Sequence, residues 1–283
     1  MNALPGHLYL VGTPIGNLED MTFRAVRILQ SVDLIAAEDT RHTGKLLQHF
    51  QVQTPQISYH EHNHQSRVDE LITRLRQDKS VALVTDAGMP GVSDPGYELV
   101  CACLDQSIPV VPIPGPTAAI TALCVSGLPT DKFVFEGFLP LKHTARQERL
   151  TVLQPETRTL ILYEAPHRLL KTLTDLQSVL GPDRRITLGR ELTKRFEEFW
   201  RGTLAEALAH YEAEAPKGEF TLVIEGTPPS AQVFSEAALK SELERLLESG
   251  VSRGDASRQL AASTGLSKKQ IYQLSLTLDG EGG

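Results

Sequence analysis

The sequence predicts an α/β protein with two α/β domains and a small C-terminal helical module, and three observations support this. The chain has 283 residues, more than the about 100–200 residues of a usual single domain. Short apolar runs alternate with amphipathic helical patterns as far as residue 226, which is typical of α/β sheets. Beyond residue 234 the pattern is wholly helical. We therefore expect domains at residues 1–128 and 129–229 and a helical module at 230–283.

Five short runs rich in β-forming residues predict the first domain. Each ends at Pro, Gly or Asp, as the strands of a buried parallel sheet do. Between two of them, Val68, Leu71, Ile72 and Leu75 recur at helical spacing and predict a helix over 66–77. The predicted strands are residues 8–11, 34–37, 57–59, 81–84 and 109–113.

A second series of strands begins near Asp131 and predicts a second α/β domain. Its clearest helix covers 167–180, because Leu169, Leu173, Leu176 and Leu180 share one helical face. Segment 127–130 has the Gly and Pro content of a hinge, and segment 226–230 that of a linker. The predicted strands are residues 133–138, 159–163, 185–188, 197–200 and 220–224.

Three short helices are predicted for the C-terminal module, at residues 239–248, 255–262 and 267–276. Gly250 and Gly265 stand at the turns between them, and Ser267 is placed to cap the last helix.

Composition and charge exclude several classes of protein. Hydrophobic residues at 41% and charged residues at 22% are ordinary values for a globular chain, which excludes disorder and a collagen-like repeat. The net charge of −7 means that a nucleic-acid partner would have to bind a local basic patch. Residues 1–6 lack the features of a signal peptide, and no stretch approaches the about 20 apolar residues of a membrane span. We expect a cytoplasmic protein that does not enter a membrane.

Three Gly- and Pro-rich loops each follow a predicted strand, at residues 12–18, 85–96 and 112–118. Ligands of open α/β sheets bind at the carboxyl ends of the strands, and glycines allow a backbone to approach a ligand closely. Each loop alone is an ordinary turn, but together they favour a cofactor cleft. Neither GxGxxG nor GxxxxGK[ST] is present, so dinucleotide and P-loop sites lose their main support.

The cysteines and a run of histidines offer weaker signals. Cys101, Cys103 and Cys124 form no CxxC pair and fall in helical patterns, which predicts buried reduced thiols. His60, His62 and His64 alternate, as side chains on one face of a strand do. Because no HExxH or Cys/His spacing accompanies them, we expect a polar strand end near the substrate and no metal.

Eight separated segments of this sequence match, in order, motifs of one known family. They are residues 13–18 (TPIGNL), 37–41 (AEDTR), 86–88 (DAG), 94–96 (DPG), 114–116 (PGP), 163–168 (YEAPHR), 191–194 (ELTK) and 217–219 (KGE). The chain thus resembles, from residue 8 to 226, the family of small-subunit ribosomal RNA methyltransferases I within the tetrapyrrole methylase superfamily. Met89, Ala165 and Thr117 depart from the usual family residues, and Ala165 removes a hydroxyl where serine is common.

The resemblance implies an enzyme that uses S-adenosylmethionine to methylate the ribose 2′-hydroxyl of a cytidine in small-subunit (16S) ribosomal RNA. It also implies a homodimer, no metal, and a cofactor held between the two α/β domains. Asp86 could accept a hydrogen bond from a ribose hydroxyl or from the methionine ammonium, or could cap the next turn. The residues expected to bind the cofactor are Pro14, Gly16, Asp86, Ala87, Gly88, Pro114, Gly115, Pro116, Thr117, Tyr163 and Glu164.

Glu191 and Lys194 are the candidate catalytic residues, because they follow a strand that is expected to end at the cleft. A partly desolvated lysine can act as a base, and Glu191 could orient it. The alternatives are a phosphate contact by Lys194 and a surface ion pair with Glu191. All of these roles stay open at this point.

Charge distribution suggests where RNA would bind. Between Phe138 and Arg201, Lys and Arg exceed Asp and Glu by four. In the helical module, Lys268 and Lys269 directly follow the predicted Ser267 cap, at a helix N-terminus that could hold a phosphate. The alternatives are an N-cap role for Asp39 or Thr40, and a module that only buries Leu260, Ile271 and Leu274. The candidate RNA contacts are Asp39, Thr40, Arg41, His167, Arg168, Arg190, Arg195, Lys268 and Lys269.

Two other functions compete with ribosomal RNA methylation. One is methylation of a tetrapyrrole or another small molecule, because the cofactor loops do not identify the molecule that accepts the methyl group. The other is a non-catalytic RNA-binding factor in ribosome assembly that retains a nucleoside pocket. Methyl transfer to ribosomal particles would exclude the non-catalytic factor, and the local basic charge and the ELTK match favour RNA over a small molecule.

Overall fold

The computed structural model describes residues 2–228, 236–264 and 266–278. The chain divides into two compact units, Met1–Gly226 and Thr227–Gly283. The first unit contains two five-stranded sheets, and the described part of the second contains three helices. Domain boundaries at 128 and 229 remain predictions. No helix among the described residues is long and apolar enough to cross a membrane.

The N-terminal lobe, defined here as β1 to α5, is a parallel sheet with helices on both faces. The strand order is β3-β2-β4-β1-β5, so the loops after β1, β4 and β5 leave three adjacent strands. A short 3-10 helix covers Leu18–Asp20. The elements are β1 (Leu8–Val11), α1 (Phe23–Ser31), β2 (Leu34–Ala37), α2 (Thr40–His49), β3 (Gln56–Ser58), α3 (His64–Arg76), β4 (Val81–Val84), α4 (Tyr97–Asp105), β5 (Val110–Ile113) and α5 (Ala118–Val125).

Side-chain alternation along these strands builds two cores. Ala82 and Val84 of β4 join the core under α1, whereas Val81 and Leu83 join the core under α3 and α4. Both faces are buried, which explains why the strands are almost continuously apolar in sequence.

The C-terminal lobe, defined here as β6 to β10, is a mixed sheet of order β6-β7-β10-β8-β9. Only the β6–β7 pair is parallel among its four pairings. Helices α6 to α8 cover one face. The elements are β6 (Phe133–Phe138), α6 (His143–Leu153), β7 (Thr159–Glu164), α7 (Pro166–Leu180), β8 (Arg185–Arg190), β9 (Glu198–Thr203), α8 (Leu204–Ala213) and β10 (Phe220–Ile224).

Helix α5 covers the other face of this second sheet and so joins the lobes. Its Ala119, Ala122 and Leu123 pack against Ile161 and Val223 in one buried cluster. The segment 127–130, which reads as a hinge, includes Leu128, which is buried in the same cluster. An apolar contact of this kind holds the two lobes together and shapes the cleft between them.

The second unit has its own small core. Helices α9 (Glu236–Glu248), α10 (Arg253–Thr264) and α11 (Lys268–Thr277) bury Leu239, Leu243, Ala256, Leu260 and Ile271. The cap prediction is confirmed, because the Ser267 hydroxyl accepts from the Gln270 N–H and Gln270 bonds back to Ser267. Gly265 and the start of the module at 230–235 lie outside the described residues.

Two local expectations are wrong. Strand β3 ends at Ser58, so His60 and His62 lie in a turn before α3 instead of on a strand. The three cysteines are free thiols on helices, but Cys103 is buried, Cys101 is half-buried and Cys124 is exposed. Buried cysteines were expected at all three positions, and Cys124 fails because it points away from the packed face of α5.

Candidate active site

A cavity of about 380 Å³ lies in the first unit, between the carboxyl edge of the parallel sheet and the second sheet. Its volume falls in the about 300–1,000 Å³ range of small-molecule sites. The N-terminal lobe contributes Glu38 and the loop that follows β4, and the C-terminal lobe contributes Phe138 and Tyr163. The three Gly/Pro loops therefore do meet at one edge, as the sequence predicts.

The loops are tied to each other by backbone contacts. Thr13 and Gly88 form a two-way bridge, with N–H to oxygen distances of 2.9 and 3.1 Å. Gly88 has a φ of +82°, which favours glycine, and it lines the cavity. The third loop meets the first where Gly115 lies against Gly12: a Cβ built on Gly115 would be 2.8 Å from the Gly12 Cα.

Three carboxylates cluster on the N-terminal wall: Glu38, Asp86 and Asp94. The Asp86 N–H donates to Glu38 (3.2 Å), and the Asp39 N–H donates to the Asp86 carboxylate (3.2 Å). Burial raises the pKa of Glu38. Burial, with the charges of Glu38 and Asp86, raises the pKa of Asp94 to about 7. The wall is thus acidic, with one carboxyl that titrates near neutral pH.

The segment that carries Asp94 is clamped across the cleft. Ser93 has a φ of +63°, a strained value for a residue other than glycine. The Ser93 hydroxyl sits against Gly137, which has a φ of +63° at an irregularity in the β6–β7 pairing. A Cβ on Gly137 would lie 2.7 Å from the Ser93 Oγ. This close fit holds Asp94 at the boundary between the lobes.

The C-terminal wall is aromatic. The Tyr163 hydroxyl accepts a hydrogen bond from the Ala119 N–H at the start of α5 (3.2 Å), and burial raises the pKa of this phenol. Phe135 and Phe138 both contact the Tyr163 ring edge-on, and Phe138 is exposed to the cavity. Tyr163 therefore fixes α5 while its ring forms the cavity wall.

Lys194 lies beside the cavity in a strained loop after β8. Its ammonium donates to Glu191 and Glu219, both at 2.9 Å, and Glu219 itself lines the cavity. Glu191 and Thr193 have φ values of 50° and 64°, so two residues other than glycine adopt left-handed conformations here. Partial burial acts to lower the Lys194 pKa, but the bonds to Glu219 and Glu191 outweigh it and raise that pKa. Lys194 is held as a cation.

Comparison with known proteins places the chain in a family. A protein from Synechocystis sp. named Ribosomal RNA small subunit methyltransferase I is 61% identical over 98% of this chain and 100% of its own length. A protein of the same name from Escherichia coli O157:H7 is 45% identical over 97% of this chain and 96% of its own. The chain belongs to the ribosomal RNA small subunit methyltransferase I family. The wider family of Tetrapyrrole (Corrin/Porphyrin) Methylases matches residues 7–208.

Solved structures support the fold of this methyltransferase family member. A uroporphyrin-III-C-methyltransferase from Thermus thermophilus superposes with a TM-score of 0.58 at 23% identity, covering 78% of this chain and 94% of that one. A second structure of a Thermus thermophilus uroporphyrin-III C-methyltransferase, in complex with S-adenosylhomocysteine, gives a TM-score of 0.54 at 21% identity, covering 77% and 96%.

In this methyltransferase family member, the cavity brings together about half of the expected cofactor residues. Its lining includes Asp86, Ala87, Gly88, Thr117, Tyr163 and Glu164. Pro14, Gly16, Pro114, Gly115 and Pro116 belong to the same loops but do not line it. Gly16 instead packs against Lys194, where a Cβ would lie 2.4 Å from the Lys194 Cγ.

Two of these residues are engaged within the protein. Both carboxylate oxygens of Glu164 are bonded, one to the Thr172 hydroxyl and the other to the Ala165 N–H and Arg168. Asp86 bonds the Asp39 backbone, and no cap of its own turn by Asp86 is seen among the described residues.

The candidate RNA contacts separate into bound and free side chains. Arg168 donates to the Leu139 carbonyl (2.6 Å), and Arg190 donates to the Lys217 carbonyl (2.7 Å), so both guanidinium groups are engaged inside the fold. Asp39 caps α2 by accepting from the Arg41 N–H, which confirms the N-cap alternative for Asp39. Thr40 is the first residue of α2. The exposed candidates are Arg41, His167, Arg195, Lys268 and Lys269, and of these Arg41 is ion-paired with Asp39 at 2.7 Å.

Sequence reasoning assigned no site role to several side chains of the cavity, among them Glu38, Asp94, Phe138 and Glu219. Glu38, Asp94 and Glu219 stand inside matched motifs, so the signal was present without an assigned role. A neighbouring cavity of about 550 Å³ shares Glu38, Ser93 and Asp94 with the first and is also lined by His60 and His62. Within the described part of the chain, no group of three or more His, Cys, Asp or Glu residues could hold a metal ion. The His64 side chain lies outside the described residues.

Gly115→Ala is expected to weaken binding of S-adenosylmethionine and to destabilise the protein by about 1–3 kcal/mol, as overpacking does. The added methyl would press on the Gly12 backbone and drive the first and third loops apart. The expected effect follows from the packing of these two loops. Calorimetric titration and thermal unfolding measure both changes.

Gly44→Ala is the matched control, because a Cβ there meets only the end of the flexible Gln56 side chain. It should leave cofactor affinity unchanged. Full affinity and stability in Gly115→Ala would contradict the packing seen between the two loops.

Proposed function

We propose that this protein transfers a methyl group from S-adenosylmethionine to the ribose 2′-hydroxyl of a cytidine in small-subunit ribosomal RNA. The observation that carries the proposal is the sequence identity of 61% and 45%, over nearly the full length of the chain, to proteins named for small-subunit ribosomal RNA methylation. The cavity at the carboxyl edge of the parallel sheet supports it, because this is where open α/β sheets bind ligands. The proposed protein acts as a homodimer in the cytoplasm.

The cavity suits a cationic nucleoside cofactor. S-adenosylmethionine carries a sulfonium and an ammonium, and it supplies a methyl group already activated for transfer. Glu38, Asp86 and Asp94 give the N-terminal wall a negative charge that favours these cations. The rings of Phe138 and Tyr163 offer an apolar surface for adenine.

Asp94 is the proposed acceptor for the proton of the ribose hydroxyl. A general base works best when its pKa lies near the working pH, and the Asp94 pKa is about 7. It also lies where two cavities meet, so a donor in one and an acceptor in the other would face it. Transfer then breaks the sulfur–methyl bond, forms the oxygen–methyl bond and moves the hydroxyl proton to the Asp94 carboxylate.

Lys194 is better suited to bind a phosphate than to act as a base. Its two hydrogen bonds to carboxylates favour the ammonium form, which has no free electron pair. Glu191 is proposed as its positioning residue, because one Glu191 oxygen bonds both Lys194 and the Glu219 N–H. The alternative ion pair of Lys194 with Glu191 is formed, and a phosphate that binds Lys194 would have to compete with Glu191 and Glu219.

The proposed RNA surface uses exposed basic and imidazole side chains, of which Arg41 is ion-paired with Asp39. Arg41, His167 and Arg195 are exposed on the first unit, and Lys268 and Lys269 on the first turn of α11. Arg168 and Arg190 act by holding the local fold, since their guanidinium groups are bonded to protein oxygens. Phosphate contacts of this kind position RNA without reading its sequence.

Transfer of labelled methyl from S-adenosylmethionine to purified small-subunit particles and to free ribosomal RNA tests the function. We expect label on ribose, so that the modified linkage resists alkali and nuclease because its 2′-oxygen is blocked. Label on a released base would contradict the 2′-hydroxyl assignment. Transfer to a tetrapyrrole with none to RNA would favour the small-molecule alternative.

A further inference from the structure

A third cavity, also of about 550 Å³, lies beside the start of α6 and the N-terminal half of α7 in the C-terminal lobe. Its exposed side chains include three that are basic or imidazole, His143, His167 and Lys171, together with Leu141 and Thr174. Nothing in the proposed reaction uses this cavity as a whole. Its charge is opposite to that of the acidic wall around Glu38 and Asp94.

The floor of this basic cavity is built from neutralised groups. Arg146 and Asp175 are both buried and form an ion pair with a 2.6 Å separation. Arg146 also donates to the carbonyls of Pro140 and Leu141, at 3.2 and 3.0 Å. Arg168 is turned towards Glu164 and the Leu139 carbonyl. The floor therefore provides shape and rigidity, and its cations are already paired.

Lys171 and His167 are the groups available to a ligand. Within the described parts of the chain, neither side chain has a hydrogen bond or an ion pair. They are one helical turn apart on α7, at i and i+4, so both project from the same face. His143 faces them from α6, 3.5 Å from Asp175. A ligand in this cavity would thus meet an unneutralised ammonium beside two imidazole groups.

The basic cavity lies next to the candidate active site. Strand β7 ends at Glu164, which lines the active-site cavity, and α7 begins two residues later at Pro166. Arg168 lines the basic cavity and is ion-paired to Glu164. An RNA that places one nucleotide in the active-site cavity meets the carboxylates there, which repel its phosphates. The flanking phosphates of the same RNA would be attracted to the basic cavity.

We propose that the basic cavity binds a phosphodiester group of the RNA substrate, held by Lys171 and His167. The inference rests on the proposed function, because it takes RNA as the source of the phosphate. Under this proposal the two cavities of the first unit have different roles. The acidic cavity binds the cationic cofactor, and the basic cavity beside it binds the RNA backbone. Because Lys171 and His167 are exposed, the contact should depend strongly on salt.

Equilibrium binding of ribosomal RNA and of small-subunit particles over a series of KCl concentrations tests this site. Each phosphate contact contributes about 0.7–0.9 to the slope of log K against log salt. Lys171→Ala is expected to reduce that slope by this amount and to raise Kd several-fold. Affinity for S-adenosylmethionine and the thermal unfolding midpoint should stay at the unmodified values, and Lys171→Arg should restore the slope.

Lys132→Ala is the matched control, because Lys132 is an exposed lysine directly before β6 that lines neither the basic cavity nor the candidate active site. An unchanged slope in both Lys171→Ala and His167→Ala, or an equal loss in Lys132→Ala, would overturn the phosphate site. So would failure of the unmodified protein to bind either RNA or particles. Methylation by the unmodified protein is measured in parallel. If it binds RNA through Lys171 but transfers no methyl, the proposed function fails and the phosphate site stands.

Discussion

Replacement of Asp94 by asparagine is expected to slow methyl transfer by a factor of about 10²–10⁴, the usual contribution of a general base. Asparagine keeps the size of the side chain and removes its ability to accept the proton. The surrounding loop should persist, because Ser93 and Gly137 hold it through contacts that do not involve the Asp94 carboxylate. Single-turnover transfer at saturating S-adenosylmethionine measures the chemical step.

The pH dependence gives a second readout of Asp94. The carboxyl has a pKa of about 7, so it is ionised and competent above that pH and protonated below it. For the unmodified protein, kcat/KM for S-adenosylmethionine should fall tenfold per pH unit below about pH 7, because this parameter reports the enzyme before cofactor binding. The fall should be absent in Asp94→Asn. Asp94→Glu should retain part of the rate, and its kcat/KM should still fall at low pH.

An exposed carboxylate serves as the control for these measurements. Asp105 lies at the end of α4, and Asp105→Asn should leave both the rate and the pH profile unchanged. If Asp94→Asn raises the Kd of S-adenosylmethionine but keeps the saturated rate, Asp94 binds the cofactor cation and is not the base. If neither quantity changes, Asp94 has no part in the reaction.

Arg146→Met is expected to lower the free energy of unfolding by about 3–5 kcal/mol, the usual result of removing one member of a buried ion pair. The Arg146 and Asp175 side chains are only 7% and 10% exposed. Loss of the guanidinium leaves Asp175 with the Gln147 amide and His143 as partners, and leaves the Pro140 and Leu141 carbonyls without this donor. Urea unfolding monitored by circular dichroism measures the change.

A surface ion pair provides the comparison. Arg74 is paired with Glu70 on α3 and its side chain is 44% exposed, so Arg74→Met should cost less than about 1 kcal/mol. The double variant Arg146→Met with Asp175→Leu should recover much of the lost stability, because it leaves no unpaired buried charge. A loss in Arg146→Met no larger than that in Arg74→Met would contradict the structural role of the pair.

Most of the fold follows from local sequence patterns. The five strands of the parallel sheet are recognisable because both faces are buried, which makes each strand an apolar run closed by turn residues. The direction of the strands in the second sheet is not recognisable in this way. Pairing of β10 with both β7 and β8 is a non-local choice, and similar apolar runs suit parallel and antiparallel partners.

The candidate site was predicted in position more than in detail. Loops after β1, β4 and β5 were expected at one edge, and the cavity lies there. Gly115 was expected to bind the cofactor, which stays a prediction; the structure places it against Gly12 of the first loop and outside the cavity lining. A motif can indicate that a glycine is needed, but it does not indicate which neighbour approaches it, because that neighbour is about a hundred residues away in the chain.

The sequence by itself determined the alternation of strands and helices, the loops at the carboxyl edge and the family to which the chain belongs. These properties depend on short-range periodicity, turn chemistry and residue identity, all of which a sequence displays directly. Only the tertiary structure decided which charges are free. Arg168 and Lys171 both read as cations in the sequence, yet Arg168 turns inward to Glu164 and Leu139 while Lys171 stays exposed. The environment of Asp94 is likewise tertiary, because its pKa depends on burial and on carboxylates that other loops bring beside it.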